Sequence, residues 1–240
     1  QGLFFKYEGY KFFLEGDGDY EFDDCRHLYG FLNYLYRTDE AQKWTNEMTQ
    51  KNADFWFPTT TATLKRGKKE ETLTLDFIER FQDIEHRELL HDLALSKLKS
   101  HYGTTNLMNS KAAKYARAFV INTDTEIIPA KTWGRLFKTL HPVLEANRLT
   151  LMSAVTHVDQ GVPHLHGLYL RKPRMRGNPF MDALLSSDLK PTIVTSFSGF
   201  PRFQWPEGSQ PDPKLLEGWE TASTIHIGNY QTTKEGGHMP

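Results

Sequence analysis

At 240 residues, with 38% hydrophobic, 13% aromatic and 25% charged residues, the chain has the composition of a globular protein with a sizeable core, which excludes disordered and fibrous classes. A net charge of −1 excludes binding to nucleic acid through bulk positive charge, so any phosphate contact must come from a local basic patch. One cysteine, Cys25, excludes an internal disulfide and points to a reducing, cytoplasmic compartment; no apolar run approaches the roughly 20 residues of a membrane helix, and the N-terminus has no signal pattern.

In chain order, Leu3 to Leu14 is rich in Phe and Tyr and predicts a strand or hairpin, closed by Gly16-Asp17-Gly18-Asp19. Asp24 to Trp44 predicts a helix with Leu28, Phe31, Leu32, Leu35 and Tyr36 on one face; Tyr29, Tyr34 and Tyr36 read first as packing residues. Phe55 to Leu64 predicts a strand, Lys65-Arg66-Gly67-Lys68 a hairpin tip within the basic run Lys65 to Lys69, and Glu71 to Leu75 the returning strand. Asp76 with Glu79 resembles a capping box and predicts a long helix that Gly103 ends. Thr104 to Ser110 is polar and marks a border between an N-terminal lobe of uncertain role (1–103) and a second domain (111–240).

In that second part, Tyr115 to Asn122 predicts a strand, Lys131 to Ala146 a helix bearing Trp133, Leu136, Phe137 and Leu140, and Leu149 to Val158 a second strand. Gly161 to Pro163 predicts a turn and His164 to Leu170 a third strand. The expected fold class is α+β, a ferredoxin-like antiparallel sheet with flanking helices, joined to an N-terminal α/β lobe.

In His164-Leu165-His166-Gly167-Leu168-Tyr169-Leu170, strand alternation sends His164, His166 and Leu168 to one face. A tight turn at Gln160 to Pro163 brings the preceding strand alongside, so that His157 becomes a third nitrogen ligand for one metal ion and Asp159 can orient a histidine from behind. A lone histidine on a strand is ordinarily a buried hydrogen-bonding residue. Two at alternate positions after a proline turn, with a third on the partner strand, point to a shared ion.

The run His157-Val158-Asp159-Gln160-Gly161-Val162-Pro163-His164-Leu165-His166 resembles the third motif of plasmid mobilisation relaxases, His-x-Asp-Glu-x-x-Pro-His-x-His, with Gln160 in place of the usual Glu. More broadly it is similar to the HUH endonucleases, which include rolling-circle replication initiators. The match covers about ten residues, and the N-terminal hundred carry no resemblance. It implies Mg²⁺ or Mn²⁺ on the three histidines, a tyrosine nucleophile, a 5′-phosphotyrosine intermediate with a free 3′-hydroxyl, and nicking and rejoining of single-stranded DNA or a DNA hairpin at an origin. Gly228-Asn229-Tyr230-Gln231-Thr232-Thr233-Lys234 resembles the Tyr-x-x-Lys region of replication initiators, with Lys234 one residue late, which puts Tyr230 first as nucleophile. Relaxases often carry theirs near the N-terminus, which makes Tyr34 and Tyr36 the rivals.

Arg171, Lys172, Arg174 and Arg176 offer a basic run for backbone phosphates, with a solvated loop as the plainer reading; Phe197, Phe200, Phe203 and Trp205 offer stacking surfaces or a core edge. Two other classes stay open. One is a module of the same fold that binds a DNA hairpin without cutting it. The other is a different histidine or metal phosphoesterase, although Leu168 stands where a histidine-triad hydrolase needs a further histidine, and no second His-x-Thr/Ser copy is evident.

Overall fold

The computed structural model describes residues 2–15, 20–39, 49–56, 61–66, 68–123, 128–159, 163–172 and 177–194. The chain opens with a hairpin, β1 (Gly2–Tyr7) and β2 (Tyr10–Glu15), whose two-residue turn has both Glu8 (φ 50°) and Gly9 (φ 85°) in the left-handed region, the conformation that matches strand twist. After β3 (Tyr20–Glu21) comes helix α1 (Cys25–Tyr36), capped by Asp24, which accepts from the His27 amide at 2.9 Å. Strand β4 (Ala53–Phe55) is followed by the hairpin β5 (Thr61–Arg66) and β6 (Lys69–Thr74), then β7 (Ile78–Arg80), α2 (Ile84–Tyr102) and the short α3 (Ala112–Tyr115). The remainder is β8 (Ala116–Thr123), α4 (Ala130–Ala146), β9 (Thr150–His157), β10 (His164–Leu170), α5 (Pro179–Leu185) and β11 (Thr192–Val194).

Nine of these strands form one antiparallel sheet in the order β11-β1-β2-β8-β10-β9-β4-β7, with β3 added beside β8; β5 and β6 pair separately. The protein is thus mixed α+β with a large antiparallel sheet. β8 and β9 run parallel, joined over the sheet by α4, and β10 slots between them, a split β-α-β arrangement. The sheet draws strands from both sides of the 103/111 border expected from sequence, since β1, β2 and β4 lie in it beside β8, β10 and β9.

Burial on both faces explains why the central strands are apolar along most of their length: β8 and β10 are buried at every position. One face carries α1, α2 and α3 over Leu168, Ala118, Val155 and Met152. The other carries α4 and α5 over Phe119, Ile121, Leu165 and Tyr169. Gly167 faces this second layer. A β-carbon there would lie 2.0 Å from the ring of its cross-strand partner Phe119, which is stacked on Phe180 at 4.1 Å between centroids, so only glycine fits.

Three boundaries differ from the sequence reading. The first helix stops at Tyr36 instead of continuing to Trp44, because Arg37 turns left-handed (φ 56°) and its amide points back to the Asn33 and Tyr34 carbonyls. The helix expected from Asp76 begins at Ile84. The Asp76 amide does donate to Glu79 Oε2 at 2.9 Å, but Ile78–Arg80 pairs with β4 at the sheet edge, and Asp83 is the residue that caps α2 through the His86 amide. Gly103 ends that helix as expected, left-handed at φ 60°. The strand expected across Phe55 to Leu64 is divided, β4 ending at Phe55 and β5 starting at Thr61. No described helix is long and apolar enough to cross a membrane.

Candidate metal centre

Register brings the three histidines together. His164 is the direct cross-strand partner of His157, and His166 sits two residues further along the same face of β10. Each ring offers one nitrogen, and these nitrogens lie within 4.8 Å of one another. Three nitrogens each about 2.1 Å from a common ion would stand some 3–4 Å apart, so adjustments of about an ångström close the site. All three rings are buried, and their centroids are 4.5 Å (His164 and His166), 5.0 Å (His157 and His166) and 5.4 Å (His157 and His164) apart.

The C-terminal turn of α1 covers this cluster. The Leu35 carbonyl, unbonded within the helix at its end, lies 2.9 Å from His157 Nε2. That contact makes Nε2 the protonated nitrogen and leaves the Nδ1 lone pair to ligate a cation. Tyr34 sets its ring edge-on against His157 (5.3 Å) and His166 (5.2 Å), and its hydroxyl is 3.3 Å from His166 Nε2. Burial pushes the Tyr34 phenol above its usual range, while the Arg37 charge beside it pulls the other way.

Arg37 is the clasp that fixes Tyr34. Its guanidinium bonds both Asp159 oxygens, at 2.9 and 2.8 Å, donates to the Tyr34 carbonyl at 2.7 Å, and lies 4.6 Å from the centroid of the Tyr34 ring. Both partners are buried. Burial raises the Asp159 carboxyl, but Arg37, with Asn52 and His164, brings it below its ordinary value, so it is ionised. Asp159, expected to orient a histidine, commits both oxygens to Arg37; its link to the site runs through Arg37 and Tyr34, and its charge faces His164. The left-handed Arg37 conformation, unusual for a side-chain-bearing residue, is held by these bonds.

Of the two α1 tyrosines, Tyr36 does not reach the histidines by any described bond: its hydroxyl pairs with Ser153 Oγ at 2.8 Å, beside the buried Asp54. Tyr230 and Lys234 lie outside the described residues, as do Arg174, Arg176, Gln160 and the aromatic run Phe197 to Trp205. Arg171 and Lys172 follow β10 at the end remote from His164, roughly 20 Å away at 3.3 Å per residue. There Arg171 approaches Glu21 at 3.8 Å, and Arg117 bonds the same carboxylate.

Two neighbours escaped the sequence reading. Arg37 falls inside the helix expected over Asp24 to Trp44, with nothing local to mark it, and its partner is 122 positions away. Asn122 is 3% exposed and pairs directly with His164 from β8, while Phe13 faces it from β2. The available signal was an amide at the end of the apolar run Ala118-Phe119-Val120-Ile121.

Comparisons with family models, curated proteins and solved structures returned no match.

Proposed function

We propose that this protein is a metal-dependent nuclease of the HUH type, on a ferredoxin-like core formed by β8, α4, β9 and β10, which nicks and rejoins single-stranded DNA with Tyr34 as nucleophile. The observation that carries this reading is the Tyr34 hydroxyl 3.3 Å from His166 Nε2, within a cluster of three histidines whose ligand nitrogens lie within 4.8 Å of one another. A packing tyrosine has no need to point its one polar atom at such a cluster. The motif from His157 to His166 supports the same assignment, and the position of Tyr34 in an N-terminal helix favours the mobilisation-relaxase arrangement over the replication-initiator one.

His157, His164 and His166 would hold the ion, and an all-imidazole donor set suits Mn²⁺ better than the oxygen-seeking Mg²⁺. When bound, the ion would polarise a non-bridging oxygen of the scissile phosphate and offset the charge that grows there. Tyr34 Oη attacks phosphorus and gives its proton to water; the bond to the 3′-oxygen breaks, and that oxygen takes a proton from water to become the 3′-hydroxyl. The 5′-phosphate stays on Tyr34, so the reverse attack by a 3′-hydroxyl reseals the strand without an energy source. Arg37 and Asp159 keep the ring in place throughout, and the edge contacts with His157 and His166 restrict its rotation.

The test is incubation with a library of labelled single-stranded oligonucleotides in Mn²⁺ or in EDTA. Nicking that requires Mn²⁺ and is abolished by Tyr34→Phe supports the assignment. Metal-dependent binding without any strand scission would favour a hairpin-binding module instead.

A further inference from the structure

We infer that Asn122 binds the scissile phosphate, its side-chain amide donating a hydrogen bond to a phosphate oxygen held over the three histidines; this rests on the nuclease reading above. Cross-strand register places Phe13, Asn122, His164 and His157 in one row across β2, β8, β10 and β9, all on the face that α1 covers. Directly paired residues have β-carbons about 5 Å apart, so the Asn122 carboxamide reaches the space in front of the His164 ring. Asn122 is 3% exposed, and its Nδ2 is buried without a hydrogen-bond partner.

A buried amide donor left without an acceptor is costly, and its neighbours decide what acceptor it awaits. Phe13, wholly buried on one side of the row, has no side-chain oxygen or nitrogen to offer the amide. On the other side stands His164, a proposed cation ligand. An amide NH₂ cannot ligate a cation, because its nitrogen carries hydrogens and its lone pair is delocalised into the carbonyl. A donor beside a cation site is complementary to an anion that bridges both, and a phosphodiester oxygen is the anion this chemistry brings there. Asparagine also suits the position better than lysine or arginine: a second buried positive charge so close to the ion would weaken cation binding.

The experiment measures two affinities separately on the whole chain. Mn²⁺ binding is followed by the loss of the free-ion electron paramagnetic resonance signal, and inorganic phosphate is then titrated onto the Mn²⁺-loaded protein. Asn122→Ala and the isosteric Asn122→Asp are compared with the parent, with melting curves to confirm that each folds. We expect both variants to bind Mn²⁺ at least as tightly as the parent. Phosphate affinity should fall about 10- to 100-fold in Asn122→Ala, the worth of one hydrogen bond to a charged group, and further in Asn122→Asp, where the new carboxylate repels the anion. Unchanged phosphate affinity in both folded variants overturns the assignment. So does Mn²⁺ affinity that falls in Asn122→Ala and rises in Asn122→Asp, the pattern of an oxygen ligand to the metal. If the parent binds Mn²⁺ and phosphate with the expected dependence on Asn122 but cuts no DNA, the nuclease reading fails while the phosphate site stands. A parent that takes up no Mn²⁺ removes both.

Discussion

The two faces of β10 use the same strand for opposite purposes. On one, His164 and His166 meet His157, Asn122 and Tyr34, a cluster of polar groups gathered under a helix end. On the other, Leu165, Gly167 and Tyr169 sit among Phe119, Phe180 and Leu136, with the Phe119 ring lying against the glycine. Residues one position apart are thereby separated into a layer that can hold an ion and a layer that can only be packed. Substitutions on the first should remove activity with little effect on folding, and substitutions on the second should do the reverse.

The largest effect belongs to the polar face. The double substitution His164→Ala and His166→Ala should abolish Mn²⁺ binding and lower nicking by about 10³-fold or more, since a metal supplies several kcal/mol of transition-state stabilisation. Calorimetric titration with Mn²⁺ and a gel assay of nicked oligonucleotide measure the two losses; retained Mn²⁺ binding would show that the histidines are only packing groups.

Next comes the clasp that joins the polar face to α1. Arg37→Met strands the buried Asp159 charge and should cost about 3–5 kcal/mol of stability, whereas replacing both partners by apolar residues should cost much less. Denaturant melts of the single and double variants decide it, and equal losses in both would show that the pair adds no net clasp.

On the apolar face, Gly167→Ala should leave Mn²⁺ affinity unchanged while costing about 1–3 kcal/mol through overpacking against Phe119. Paired melting and Mn²⁺ titration would blur the contrast between faces if the metal were lost instead.

The last test concerns Asp54, a buried carboxyl on β4 at the margin of the polar layer. Burial pushes it up to about 8, against which the Tyr36 hydroxyl and the Lys97 charge act only in part. The folded state therefore binds this proton more tightly than the unfolded chain, whose carboxyl titrates near 3.9. Its contribution to stability is full below about pH 4 and lost as pH rises to about 8. Asp54→Asn should gain thermal stability relative to the parent across that window and level off above it. A constant difference from pH 5 to 9 would place the ionised carboxylate on a partner in the folded state.

How much was legible beforehand follows from which contacts are local. β10 runs from His164 to Leu170 as its alternation required, and His157 stands opposite His164, because strands that follow each other in sequence leave few choices of register. The contact of Tyr34 with His166 was not legible, since it depends on how α1 crosses β10, whose His166 lies 132 positions further on. Asn122 pairs with His164 across β8 and β10, strands separated by the whole of α4 and β9, and the Arg37 bond to Asp159 spans a far longer gap of 122 positions. The false helix start at Asp76 came from a local signal that forms, the bond between the Asp76 amide and Glu79, but in a segment the sheet edge claims.

The most direct test of the central claim is to locate the covalent bond. After reaction with single-stranded DNA and Mn²⁺ and digestion of both polymers, mass spectrometry should find a nucleotide phosphate on the peptide containing Asn33-Tyr34-Leu35-Tyr36, with fragment ions assigning it to Tyr34 and none formed in EDTA. An adduct on Tyr230, or strand scission that leaves no protein-linked phosphate, would contradict the assignment of Tyr34 as the nucleophile.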